Sequence, residues 1–243
     1  MSGILLDVEN ISISFGGVKA VQNVSFQMRK GEILGLIGPN GSGKSTCVNL
    51  ITGNYKLDAG AITFDGKRLT PKHRIHDRAR LGIGRTFQTP RPFGHLNVYE
   101  NVFAIALQKN GFEGAKAKTE EVLQITRLGE FRAMRSEKLP IEKRKWLDFA
   151  RVLATDPKLV MMDECLGGLT TAEMHESLAL VQEINRQTGI TILFIEHVIK
   201  AVANLCGRVI VLNGGRLLAE GDPMEVLRRP AVIAAYIGEE VEA

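Results

Sequence analysis

Cysteine is scarce in this 243-residue chain, which has only three: Cys47, Cys165 and Cys206. None lies in a C-x-x-C pair, and an odd number closes no complete disulfide framework. A disulfide-stapled extracellular scaffold is therefore excluded, and reduced, packed thiols are expected. No apolar run approaches the about 18–20 residues that cross a bilayer. Any service to a membrane would be peripheral. The opening M-S-G-I-L-L-D-V-E-N carries acids early and lacks the basic-then-apolar order of a secretory signal. There is no repeat of fixed period and no low-complexity stretch. Aromatics are few, at 6%, and the net charge of +4 is spread along the chain. The densest basic runs, Lys72–Arg80 and Lys143–Lys145, lack interleaved aromatics. That pattern argues against nucleic acid as a partner and reads as a solvated face, with anionic lipid or a partner protein as the alternatives.

What is present is an ordinary globular composition, 44% hydrophobic and 24% charged. The length suits one domain over 1–243 with a full core and no need of disulfides or metals. Alternation predicts strands over Leu5–Phe15 and Val21–Met28, and an apolar strand over Ile33–Ile37 that runs into a glycine-rich loop. A helix from Lys44 to Thr52, closed by Gly53, and a strand over Ala61–Phe64 follow. After the breaker Thr89-Pro90-Arg91-Pro92 the texture turns helical: Asn97–Gln108, Lys116–Arg127 and Ile141–Thr155, the last with Pro140 at its start. Strands over Leu159–Met162, Ile190–Ile195, Arg208–Leu212 and Leu217–Glu220 then alternate with helices Ala172–Gln187 and Ile199–Leu205. Two short helices, Pro223–Arg228 and Ala231–Ile237, finish the chain. The alternation predicts an α/β core with parallel strands, and residues 89–155 read as a helical subdomain inserted in it.

Two motifs carry chemistry. Gly38-Pro39-Asn40-Gly41-Ser42-Gly43-Lys44-Ser45 matches G-x-x-x-x-G-K-[S/T] between an apolar strand and a helix. Its glycines let successive N–H groups form an anion nest, and the helix N-terminus adds its positive end. Lys44 would reach the β- and γ-phosphates of a nucleotide, and Ser45 would ligate Mg²⁺. The second motif is the apolar run Leu159–Met162, which delivers Asp163 and Glu164. Beside a phosphate loop, Asp163 is read as holding Mg²⁺ through water and Glu164 as the base for an attacking water.

With Gln88 in R-T-F-Q and His197 in F-I-E-H, these motifs resemble, in order and spacing, the ATPases of ABC transporters over essentially the whole chain. The branched-chain amino acid importer type is the nearest resemblance. It is carried by F-G-G-V-K-A-V near the start, G-I-G-R-T-F-Q, A-T-D-P-K-L, A-E-G-D-P and A-Y-I-G-E. The resemblance implies a P-loop NTPase fold with a RecA-like core, an N-terminal antiparallel β subdomain and a helical insertion. It implies that Gln88 touches Mg²⁺ and the attacking water, that His197 contacts the γ-phosphate, that Phe15 stacks on adenine and that Thr46 sits beside the α-phosphate. It also implies ATP and Mg²⁺ as ligands and a second ATPase chain, alike or different, as partner. Two transmembrane permease subunits and, indirectly, a periplasmic solute-binding protein would complete the assembly. The chain would then sit on the cytoplasmic face of the inner membrane.

One segment departs from the family. Where L-S-G-G-Q is usual, the chain has Leu139-Pro140-Ile141-Glu142-Lys143. The serine hydroxyl and both glycines are gone, and Glu142 would bring negative charge toward a partner's γ-phosphate unless Lys143 or Arg144 offsets it. Cys165 stands for the usual proline after the acidic pair, and Thr170 for the usual aspartate of the next loop. An asymmetric pair of ATPase chains is one expectation; a working variant of the signature is the other. A soluble ABC protein acting on DNA or ribosomes, a poorly hydrolysing regulatory module and a P-loop kinase are the rival classes. The resemblance implies branched-chain amino acids or related small polar compounds as cargo, with urea, amides, aromatic acids or lipopolysaccharide as the alternatives, because the residues that choose it lie in other subunits.

Overall fold

The computed structural model describes residues 3–240. Five parallel strands form the centre: β3 (Ile33–Ile37), β6 (Ile83–Arg85), β7 (Leu159–Asp163), β8 (Thr191–Ile195) and β9 (Arg208–Asn213). With the antiparallel edge strand β10 (Arg216–Gly221) their order is β10-β9-β3-β8-β7-β6. A second, antiparallel sheet is ordered β2-β1-β4-β5, from β1 (Ile4–Phe15), β2 (Val18–Arg29), β4 (Ala59–Phe64) and β5 (Lys67–Leu69). This is the P-loop NTPase architecture of ABC ATPases, with its antiparallel β portion.

The period-2 pattern explains why the central strands read as unbroken apolar runs: both faces are buried. Leu34, Leu36, Leu159, Met161, Leu193, Ile195, Ile210 and Leu212 face one core. That core is shared with the antiparallel sheet and with α1 (Lys44–Thr52). Ile37, Val160, Met162, Ile192, Phe194, Val209 and Val211 face the other. It is closed by α3 (Val98–Ile125), α4 (Ile141–Leu153), α5 (Thr171–Thr188) and α6 (Ile199–Leu205). The helix α2 (Ile75–Leu81) and the C-terminal α7 (Pro223–Val226) and α8 (Pro230–Glu240) complete the chain.

Most expected elements are found with ends displaced by up to three residues. The expected helices 97–108 and 116–127 are one run interrupted at Gly111, whose φ 62, ψ −178 breaks the helix. Pro140 is the N-cap of α4 rather than its first helical residue, since its ψ is 154 and its carbonyl accepts from Arg144 N at 2.9 Å. The short β5, α2 and β6 are not anticipated by periodicity. Arg78, expected on a solvated basic face, is 6% exposed. It caps α1 by donating to Leu50 O at 2.6 Å and Ile51 O at 2.7 Å. Cys47 and Cys206 are buried packing residues with thiols pushed up to about 12 by burial. No helix among the described residues is long and apolar enough to cross a membrane.

Candidate nucleotide-binding site

Four adjacent parallel strands bring the expected groups to one edge. The loop 38–45 follows β3, Gln88 follows β6, Asp163 and Glu164 end β7, and His197 follows β8. In an open parallel sheet, ligands bind outside these carboxyl ends.

The loop after β3 is held where side chains do not fit. Gly38 has φ 149, and a Cβ there would lie 2.1 Å from Leu212 O. Gly43 has φ 103, and its Cβ would lie 2.6 Å from Ala20 O. Gly38, Pro39 and Ser42 are buried, Asn40, Gly41 and Ser45 are exposed, and Thr46 is half-buried. Gly43 caps α1 with no side-chain bond, and the first turn holds no acid, so the helix end is left open to an anion. Lys44 is 7% exposed and curls back to donate to Gly38 O at 2.6 Å and Pro39 O at 2.8 Å. Ser42 Oγ is buried with no hydrogen-bond partner.

The acidic pair is divided between two partners. Asp163, 7% exposed, accepts from Arg85 Nη2 at 2.7 Å, and Arg85 Nη1 donates to Asn49 Oδ1 at 2.7 Å. Glu164 has φ 46, a strained value for a residue with a side chain, and its N–H is fixed on Ile195 O at 2.9 Å. Its Oε2 accepts from Gln88 Nε2 at 2.5 Å, so the structure pairs the expected base with the expected glutamine.

His197 lies on the exposed rim, its side chain 58% accessible and Nδ1 3.8 Å from Glu196 Oε2. Glu196 is fully buried, with Oε1 accepting from Leu166 N at 2.8 Å and Oε2 without a hydrogen bond. Burial pushes the Glu196 carboxyl up against the lowering pull of Leu166 N–H and His197. The Cys165 thiol lies against Glu196 and is raised well above its usual value, first by burial. Phe15 is 43% exposed and meets Tyr55 edge-on, with centroids 5.1 Å apart. Tyr55, Arg85 and Glu196 escape the sequence reading. A carboxylate closing a buried apolar strand beside His197 is a signal that could have marked Glu196.

The altered segment lies at the N-terminus of α4. Glu142 is turned in, its side chain 11% accessible, and pairs with Lys143 Nζ at 3.2 Å. Arg144 folds back onto Glu137 O at 2.9 Å and Leu139 O at 3.2 Å. Lys145 is not simply solvated: it donates to Cys165 O at 2.9 Å and to Gly167 O, tying α4 to the turn after Glu164. Thr170 is the N-cap of α5 in a capping box with Glu173.

These residues fit a nucleotide phosphate chain, because the glycine cradle, the uncapped helix end and Lys44 all favour an anion. They also fit Mg²⁺, since Ser45, Asp163 and Gln88 offer hard oxygen donors. Among the described residues no three His, Cys, Asp or Glu side chains converge as a metal cage. That suits an ion whose remaining ligands are phosphate and water.

Fold and site together define a P-loop ATPase of the ATP-binding cassette class. The chain belongs to the ABC transporter family, whose family model matches residues 21–167. A second model, described as branched-chain amino acid ATP-binding cassette transporter, matches residues 216–242. The chain is 38% identical to the high-affinity branched-chain amino acid transport ATP-binding protein LivG of Salmonella typhimurium, over 98% of this chain and 100% of the relative. It is 34% identical to a probable branched-chain amino acid transport ATP-binding protein LivG of Methanocaldococcus jannaschii, covering 97% and 98%. Among solved structures, the ADP conformation of an ATP-binding cassette of an ABC transporter matches with TM-score 0.87 and 33% identity, covering 98% of this chain and 100% of that one.

Proposed function

We propose that this chain is the ATP-hydrolysing subunit of an ABC importer for branched-chain amino acids or related small polar compounds. The observation that carries the reading is the single sheet edge that gathers the phosphate cradle, Asp163, the Glu164–Gln88 pair and His197. The full-length likeness to branched-chain amino acid transport proteins supports the cargo class.

The residues divide the work by chemistry. Backbone N–H groups of 38–45, with Lys44 released from its loop carbonyls, bind the phosphates. Phe15 and its neighbour Tyr55 offer an aromatic edge for adenine, and Thr46 lies at the α-phosphate end. Ser45, Asp163 and Gln88 would hold Mg²⁺, which when bound neutralises phosphate charge and aligns the chain for in-line attack. Glu164 orients the water and takes its proton, held in place by Gln88. Lys44 and His197 stabilise charge that develops on the terminal phosphate.

Two ATPase chains would clamp nucleotide between facing surfaces at the cytoplasmic face of the inner membrane. Permease subunits, fed by a periplasmic solute-binding protein, would dock on a groove of ≈ 330 Å³ lined by Ile75, Ala79, Phe87, Ile105 and Arg151. Its exposed apolar walls, Ile75 at 55% and Phe87 at 53%, adjoin Gln88, so docking there can reach the site. The segment 89–155 is the lever we assign to that coupling. The altered Leu139–Lys143 segment favours a pair of unlike chains, in which this one contributes an intact phosphate site and a modified lid.

The test is the ATP-dependent mass of Glu164→Gln by light scattering, beside its turnover. Turnover should fall by at least about 100-fold with ATP binding retained. Dimerisation only when a second cassette is added supports the unlike pair. A homodimer formed with ATP alone removes the unlike pair, and unchanged turnover removes Glu164 as base.

A further inference from the structure

We infer that Glu196 is a positioning residue for hydrolysis, holding His197 by Nδ1 and binding its loop to the turn that carries Glu164. The inference rests on the ATPase reading for its kinetic consequence, but its structural basis stands apart from it.

Glu196 is 0% exposed and directly follows the buried strand Thr191–Ile195, whose last four residues are apolar. A carboxylate in such a place is costly unless both oxygens are used. One is: Oε1 accepts from Leu166 N at 2.8 Å, and Leu166 lies two residues past Glu164. The other, Oε2, has no hydrogen-bond donor and lies 3.8 Å from His197 Nδ1. The His197 side chain is 58% accessible, so the ring has room to turn and close that gap. The missing donor of a buried acceptor and the unheld ring of its neighbour solve each other.

The chemistry follows from the atoms. An acceptor at Oε2 requires a proton on Nδ1. With Nδ1 engaged by the carboxylate, the ring is fixed in orientation and its Nε2 lies on the side away from Glu196. Because the same carboxylate grips Leu166 N–H, movement of the His197 loop is transmitted to the turn of Glu164. The other polar groups facing Glu196 are the His197 main-chain N–H, the Cys165 thiol, the Lys145 ammonium and the Glu164 carboxylate. Lys145 is already committed to Cys165 O and Gly167 O. His197 Nδ1 and the Cys165 thiol are then the two side-chain donors within reach of the Glu196 carboxylate, and of these the imidazole is the stronger.

Glu196→Gln tests this sharply. Leu166 N–H needs an acceptor, so the amide oxygen faces it and the NH₂ faces His197. A donor then meets Nδ1, and the ring must invert its tautomer. In long-range ¹H–¹⁵N spectra of the full-length protein, with His197 assigned through His197→Gln, wild type should show Nδ1 protonated. Glu196→Gln should show Nδ1 as acceptor and the proton on Nε2. ATP turnover should fall roughly tenfold or more with KM for ATP within about twofold, as for other groups that orient a functional histidine. Nδ1 unprotonated in wild type overturns the inference, even if the variant fails to fold. So does a variant with wild-type tautomer and turnover. Wild type that hydrolyses nothing with any partner cassette would remove the ATPase reading instead, and the spectra alone would then decide the role of Glu196.

Discussion

The loop that would receive this chain's own nucleotide and the segment it would offer to a neighbour are built on opposite principles. The 38–45 loop is a backbone device: Gly38 and Gly43 take positive φ against carbonyls 2.1 and 2.6 Å from where a Cβ would sit. Side chains are excluded by packing at those two positions, which pins the loop at both. The 139–143 segment is a side-chain device. Pro140 removes an N–H, Glu142 is paired with Lys143 rather than projecting, and Arg144 bonds back to the preceding turn. Of the two cations expected to be able to offset Glu142, Lys143 pairs with it and Arg144 does not. The difference teaches that one surface is fixed by sterics at Gly38 and Gly43, while the other is a negotiable set of charges.

The sharpest way to break the comparison is Gly38→Ala. Its Cβ would meet a strand carbonyl and Ser42 Oγ, which adds to about 1–3 kcal/mol of backbone strain. Isothermal titration should show ATP affinity lost or the protein markedly destabilised. Normal binding and stability would mean the cradle is not sterically fixed. Restoring the usual signature by P140S, I141G, E142G and K143Q should behave differently. Binding of ATP by this chain alone should change less than about threefold, because the segment faces a neighbour. ATP-driven self-association of the Glu164→Gln background should strengthen, read by light scattering. No gain in self-association would show the present segment already closes a site.

The sequence made the two surfaces unequally legible for a physical reason. The phosphate loop, Asp163 and Glu164 are contiguous motifs between apolar strands, so local spacing suffices. Arg85 reaches Asp163 across 78 positions, and Tyr55 meets Phe15 across a strand boundary. No local pattern announces such pairs. The central strands are visible because burial on both faces makes them wholly apolar. The elements β5, α2 and β6 are too short for periodicity and exist through tertiary support: β6 by pairing with β7, and the basic run around α2 by the burial of Arg78 against the end of α1. Charge density alone suggests solvent there, and the buried member of the run is indistinguishable in sequence from its exposed neighbours.

The smallest effect lies outside both surfaces and calibrates them. Asp65, in the turn between β4 and β5, bridges Lys30 Nζ at 2.7 Å and Lys158 Nζ at 2.6 Å. Those two ammonium groups, Lys158 first, lower its carboxyl to about 2. A depressed folded value means the stabilisation is complete above the unfolded value of about 3.9 and is lost as pH falls through about 2. All three side chains are solvent-accessible, so screening limits the contribution to under about 1 kcal/mol. Urea midpoints should therefore favour wild type slightly over Asp65→Asn at pH 6, and the gap should narrow between pH 4 and about 2. A gap independent of pH would show that the turn is held by geometry rather than charge. ATP affinity should be equal in the two proteins, since Asp65 contacts neither surface compared above.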